Sequence, residues 1–262
     1  MLPSRLLTEH RYERRADCAS CQTSDALLPQ VAIRDTPIES ATATAHGGCI
    51  SLEGALQTRH HLDDAFLGDQ CANMTHDFER VDATGCAASN LGGALYMTSS
   101  ALKMLDFRAT SSSASSGGAM AVVASTLGIH GGVVSGNTAL LTGGAVDSTA
   151  SVLDIQQATI SSNTAREGAG IHAIASEVVL SFGSFVDSNV ANGAGGGLRA
   201  TDSDVELHSV IFQQNKASHG GAVSTWKTGV LSTGTTFQDN VYVLVVAACV
   251  CVCLCVFVVL QT

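Results

Sequence analysis

Two nested periods organise the chain between residues 92 and 240. The short period is two. In Ser203-Asp204-Val205-Glu206-Leu207, polar and apolar residues alternate, the pattern of a strand with one buried face. The long period is about 25 residues. Counting from the first Gly of each Gly-Gly-Ala-like step, copies begin at Gly92, Gly117, Gly143, Gly168, Gly195 and Gly220, with spacings of 25, 26, 25, 27 and 25. The fourth position is always apolar: Leu95, Met120, Val146, Ile171, Leu198, Val223. The ninth is always a hydroxyl: Ser100, Ser125, Ser151, Ser176, Ser203, Thr228. The eleventh reads Leu102, Leu127, Leu153, Val178, Val205, Val230, and the thirteenth Met104, Ile129, Ile155, Leu180, Leu207, Ser232. The eighteenth reads Ala109, Val134, Ile160, Phe185, Phe212, Phe237, followed by Asn137, Asn163, Asn189, Asn215 and Asn240.

One short strand per 25 residues cannot bury its own apolar face. Stacked copies can, with each side chain on its counterpart about 4.8 Å below. Aliphatic ladders then form at the fourth, eleventh and thirteenth positions and a hydroxyl ladder at the ninth, where hydrogen bonds along the stack offset burial. Asn fits the bends because it tolerates left-handed backbone and bonds its own turn. The glycines supply positive φ at the next corner. Helical repeats run longer, at 33 to 47 residues, and need long stretches of 3.6 period. The repeat therefore predicts an all-β, right-handed parallel β-helix of about 25-residue coils, with three short strands per turn.

The phrases NTALLTGGAV, NTAREGAGI and FQQNKASHGGAV resemble the Gly-Gly-Ala-hydrophobic and Phe-x-x-Asn repeats of the polymorphic outer-membrane protein family, over about residues 92 to 240. That resemblance implies a surface-exposed, pectin-lyase-like β-helix, often adhesive. The family ends in a transmembrane β-barrel, for which this sequence has no room.

Residues 46–91 read as a degraded first pair of coils. HGGCISLEGAL offers the Gly-Gly step with Ile50 and Leu52 alternating, and Phe66 to Asp69 stands where Phe-x-x-Asn belongs. Residues 1–45 are charged and aperiodic and read as an irregular lead-in or cap. The β-helix domain is thus expected over 46–240. Residues 241–260 contain no charge, Gly or Pro. At 1.5 Å per residue a helix there would be about 30 Å long, the hydrocarbon thickness. They are expected to be a C-terminal transmembrane helix. A GPI-type removable tail and a structural cap are the alternatives.

Composition narrows the function classes. Charged residues are 14% and the formal net charge is −10, with Lys only at 103, 216 and 227. Nucleic acid is excluded as a partner, because phosphate recognition rests on Lys/Arg clusters. The nine cysteines fall at 18, 21, 49, 71 and 86, and in the tail. The pairing of Cys18, Cys21, Cys49, Cys71 and Cys86 is not readable, and Cys18-x-x-Cys21 lacks the partner half-site that zinc needs. A disulfide tying irregular loops is expected near Cys49, Cys71 and Cys86. No uninterrupted apolar segment of signal-peptide type opens the chain.

Candidate chemistry is sparse. With Ser203, Val205 and Leu207 inward, Asp202, Asp204, Glu206 and His208 point out, and Glu177 lies one coil below Asp204. Hard oxygen ligands on adjacent coils could hold Ca²⁺; as plain solvated positions they would include a surface pair between Asp202 and Lys227. His60, His61, Asp63, Asp64 and His76 could form a metal cluster and read better as loop residues. Ser218-His219-Gly220 falls in the Gly-Gly turn. Trp226 is a candidate sugar-stacking residue or a cover for the last coil. No catalytic residue and no cofactor is assigned. The expected function is a membrane-anchored, cell-surface β-helix with an adhesive or structural binding role toward carbohydrate or protein. The alternative is a polysaccharide lyase or glycoside hydrolase of pectin-lyase type.

Overall fold

A computed structural model describes residues 32–53 and 76–241 as a parallel β-solenoid of the right-handed type, with strands and no helix. Every strand pair is parallel, and each coil hydrogen-bonds only to the coils before and after it. Three sheets run the length of the stack, of 14, six and seven strands. The largest is bent. A full turn such as Val152–Gln156, Thr159–Ser161, Thr164–Ala165 and Ile171–Ile174 has four strand segments rather than the expected three. The first two segments share the bent sheet and fuse into one ten-residue strand in the coils at Ala101–Thr110 and Thr126–Ser135.

The eleventh-position column stands inside as the repeat requires: Leu102, Leu127, Leu153, Val178 and Val205 are paired rung to rung and buried. The thirteenth-position column, Met104 to Leu207, stacks beside it. The last coil is less covered, and Val230 and Phe237 are only partly buried against the core. One register departs from the repeat. The inward eighteenth-position column is Val134, Ile160, Val186, Phe212 and Phe237; Phe185 pairs with Thr159 and Ile211 on the outer face. Its coil carries one extra residue, since Gln156 opposes Ser181 while Thr159 opposes Phe185. A one-residue insertion moves every later side chain of a strand to the other face.

Corners are made by single left-handed residues. One corner uses Ser99, Ala124, Ala150, Ala175, Asp202 and Lys227, all with φ between 46° and 51°. Another uses Gly136, Ser162, Ser188, Gln214 and Asp239, with φ between 51° and 66°. The ladder asparagines therefore do not carry the positive φ expected of them; the residue just before each one does. A third corner is glycine throughout, from Gly92 to Gly220, and a Cβ on Gly117 would lie 2.3 Å from the Met120 carbonyl oxygen.

At the glycine corner the next N–H still bonds the following coil, as Gly118 does to the Gly143 carbonyl (2.9 Å), but at the other two it leaves the inter-coil backbone ladder. The Asn column repairs this. Asn163 Oδ1 accepts from the Asn137 backbone N–H (2.9 Å) and from Asn137 Nδ2 (3.0 Å). Asn163 Nδ2 donates to the Val134 carbonyl and to Asn189 Oδ1, both at 3.0 Å. The unit repeats through Asn189 and Asn215 to Asn240. The asparagines thus bond the neighbouring coils rather than their own turn, and those between 137 and 215 are fully buried. The hydroxyls do the same at the preceding corner. Ser151 Oγ accepts from the Ser125 N–H (3.1 Å) and donates to the Thr149 carbonyl (2.8 Å); Ser125, Ser176, Ser203 and Thr228 likewise accept from the N–H groups of Ser100, Ser151, Ser176 and Ser203.

Two expectations about the beginning change. Residues 32–43, read as part of an irregular lead-in, form strands Ala32–Arg34, Pro37–Glu39 and Thr42–Ala43, which pair with His76–Glu79, Asp82–Thr84 and Ala87–Ala88. Ile33 opposes Phe78 and Ile38 opposes Ala83, so the coil is held by the same core. Cys49 is disulfide-bonded to Cys86 across two coils, inside the stack rather than between loops. Cys86 follows the left-handed Gly85 and so occupies the place that Asn holds in later coils. Cys18, Cys21, Cys71, the His60, His61, Asp63, Asp64 group, Phe66 to Asp69 and residues 242–260 of the tail lie outside the described residues. Among the described residues no helix is long and apolar enough to cross a membrane.

His76 heads the eleventh-position aliphatic column, paired with Leu102 and buried. Burial pushes its imidazole below the usual range, against the opposing pull of Asp77. Two outcomes are expected. Asn163→Ala, which strands the buried Asn137 N–H and the Val134 carbonyl, should cost about 3 kcal/mol in urea unfolding. Asn163→Asp keeps the acceptor for Asn137 but buries a charge and sets its second oxygen against the Val134 carbonyl and Asn189 Oδ1, and should cost more. Because the folded pKa of His76 is depressed, its neutral form stabilises the fold fully above about pH 6.5, and stability falls as pH drops below that toward the folded value. His76→Leu should flatten that part of a pH–stability profile.

Candidate functional site

Inward positions are committed to ladders, so chemistry can reside only on outward positions and corners. On the first segment of the bent sheet the outward residues form columns one rung apart. One runs Thr126, Val152, Glu177, Asp204, Gly229; the next Gly128, Asp154, Val179, Glu206, Leu231. Glu177 and Asp204 are direct register neighbours.

Glu177, Asp202, Asp204 and Glu206 do not assemble into a cation cage. Asp202 sits on the left-handed corner and faces Lys227 Nζ at 3.9 Å, with both side chains largely exposed. Glu206 is 3.2 Å from His208 Nε2. Asp204 leans over Gly229, its Oδ1 2.9 Å from where a Cβ would stand. Among the described residues no three His, Cys, Asp or Glu side chains converge as a metal requires. A Ca²⁺ shell needs six to eight oxygens within 2.3–2.6 Å, and Asp202 and Glu206 turn to Lys227 and His208 instead. His76, once grouped with residues 60 to 64, is spoken for by the core. Ser218 Oγ donates to the Asn192 carbonyl (2.7 Å) and His219 bridges Ala194, both in the Gly corner. Trp226 is about half exposed at the outer end of strand Val223–Trp226, in register with Thr201 and Ile174.

The seven-stranded sheet carries an outward polar column that the repeat did not reveal. His172 Nδ1 lies 2.8 Å from Asp147 Oδ1, one rung apart and mostly buried. Arg199, on the next rung, donates to Ser224 Oγ (2.7 Å), and its Nε is 4.0 Å from Glu167. These contacts tie successive coils together on one face.

A shallow depression lies on the bent sheet. It has a volume of about 460 Å³ over the strands Val152–Gln156 and Glu177–Ser181, closed at the corner by Phe182, His208 and Ser209. Val152 and Val179 give it an apolar floor, and Asp154 and Glu177 supply carboxylates. Gln156 Nε2 donates to both Asp154 oxygens, at 3.1 and 3.0 Å. Ser181 is only 5% exposed, and its Oγ has no hydrogen-bond partner. Phe182 occupies the inserted corner with φ of 54° and is 68% exposed. Asp106, Gln157 and Ser209 turn the same corner in other coils with φ of 51–56°, so what sets Phe182 apart is an aromatic ring left exposed. The sequence marks only the insertion: the spacing from Gly168 to Gly195 is the longest of the five, and the extra residue falls at Phe182-Gly183, with nothing to single out Asp154, Glu177 or Ser181.

No family model, no curated protein and no solved structure matches this chain.

Like charges directly opposed across a strand pair are destabilising, and no Lys or Arg among the described residues forms an ion pair with Glu177 or Asp204. Glu177→Gln is therefore expected to raise the unfolding free energy measured in urea by a few tenths of a kcal/mol at low salt. The gain should vanish at about 1 M NaCl, where screening acts within about 3 Å.

Proposed function

We propose that this chain is a non-enzymatic binding solenoid, anchored at a membrane and displayed on a cell surface in an adhesive or structural role. The observation that carries the reading is Phe182. An exposed aromatic ring on a laddered corner, beside two exposed-face valines and two carboxylates, is recognition chemistry. Three further features support it. The Cys49–Cys86 disulfide suits an oxidising compartment. The uncharged run 241–260 has the length and hydropathy of a membrane span. The repeat phrases resemble those of surface-displayed β-helices. The membrane span, the surface location and the family tie are part of this proposal.

A second reading has its own observation. Asp154 and Glu177 are carboxylates lining one depression, and glycoside cleavage uses such a pair as acid and base or nucleophile. One experiment separates the two. The full chain is expressed in a membrane-bearing host, fractionated by carbonate extraction and assayed on polygalacturonate and neutral glucans, with and without Ca²⁺. The expected result is retention in the membrane pellet with no release of reducing or unsaturated ends. Steady turnover that is lost in both Asp154→Asn and Glu177→Gln would establish the enzyme; extraction into the soluble fraction would remove the anchor.

A further inference from the structure

We infer that the depression beneath Phe182 is a binding site for an organic ammonium group on an alkyl stem, as in a diamine or a lysine side chain. The inference rests on the binding reading above and deepens it. Four features converge on this chemistry. Asp154 and Glu177 make the lining acidic, Asp204 adds a third carboxylate one rung from Glu177, and no Lys or Arg lines the depression. The two acids that do have cationic or titratable neighbours, Asp202 and Glu206, use Lys227 and His208. The field over the depression is thus negative and attracts a cation.

The second feature is Ser181. Its buried Oγ faces outward at the base of the depression with no partner. A buried hydroxyl without a partner costs free energy, and an N–H donor from above would satisfy one of its lone pairs. Third, Val152 and Val179 offer an apolar bed for methylene groups, the way lysine stems lie along apolar surface. Fourth, the exposed Phe182 ring can present its face to the cation, an attraction that operates within about 6 Å of the ring centroid. A bare metal ion would use neither the valines nor the ring. A neutral sugar would use the ring and leave the carboxylates' charge uncompensated.

The test is a calorimetric titration of the full chain with cadaverine and with Nα-acetyl-lysine amide. Neutral 1,5-pentanediol, cellobiose and CaCl₂ serve as comparison probes. Both amines should bind and pentanediol should not. Glu177→Gln and Asp154→Asn should each weaken amine binding about fivefold, and Phe182→Ala about threefold, with unfolding midpoints showing that each variant is folded. Tighter binding of cadaverine marks a free diamine as the ligand, and tighter binding of the lysine derivative marks a side chain; either upholds the site. Amine binding that is equal in wild type and in Glu177→Gln and Phe182→Ala overturns it, as does preference for Ca²⁺. Cellobiose binding that depends on Phe182, without amine binding, overturns the ammonium assignment and leaves the binding reading standing.

Discussion

The solenoid depends on the corner N–H groups. Between corners, backbone donors and acceptors pair with the neighbouring coils and need no help from side chains. At two of the corners a single left-handed residue turns the chain, and the next N–H is left inside the stack without a backbone acceptor, where an unpaired donor costs about 1–3 kcal/mol. The same residue one coil on supplies the acceptor: Asn163 for Asn137, Ser151 for Ser125. Each of these side chains therefore repairs the coil before its own. That is why the position must be repeated identically. The repetition in the sequence is a consequence of that dependence between neighbours.

The two ends of the Asn column are finished differently. Ser112 still receives the acceptor, its N–H bonded to Asn137 Oδ1 at 2.9 Å, but its own hydroxyl bonds locally to the Thr110 carbonyl. One coil earlier Cys86 stands in the column and is joined to Cys49. The covalent bond thus takes over where the amide relay stops. At the other end Asn240 accepts from Asn215 and donates to the Phe212 carbonyl, and it is the most exposed of the ladder asparagines.

How much of this was legible follows from what each position is constrained by. The eleventh and thirteenth positions were readable because burial demands apolarity in every coil. The asparagines were readable as a ladder but not in their role, since the residue that bends, such as Ser162 or Gln214, varies freely. An exposed left-handed corner tolerates many side chains at modest cost, so it leaves no signature. Strands of two and three residues, such as Thr42–Ala43, carry too little alternation to be seen, which hid the first described coil. Phe185 was misplaced because counting from the glycine assumes no insertion. The candidate site was illegible for a related reason. Asp154, Ser181 and Phe182 sit at outward or corner positions, where the ladders impose nothing.

That freedom is also what allows a site to form. The core requires sameness every 25 residues or so, so variation is confined to the outer faces and corners. The insertion at Phe182-Gly183 lengthens one corner without breaking a ladder, because Ser181 and Phe185 each resume register with the previous coil. The backbone ladder then holds Glu177 and Asp204 about 4.8 Å apart whatever their charges prefer. A flexible surface would let such carboxylates spread and relax their repulsion. A laddered one keeps them together, so the electrostatic cost is already in the free protein. A bound cation would relieve it without the ordering losses that accompany recognition by a mobile loop.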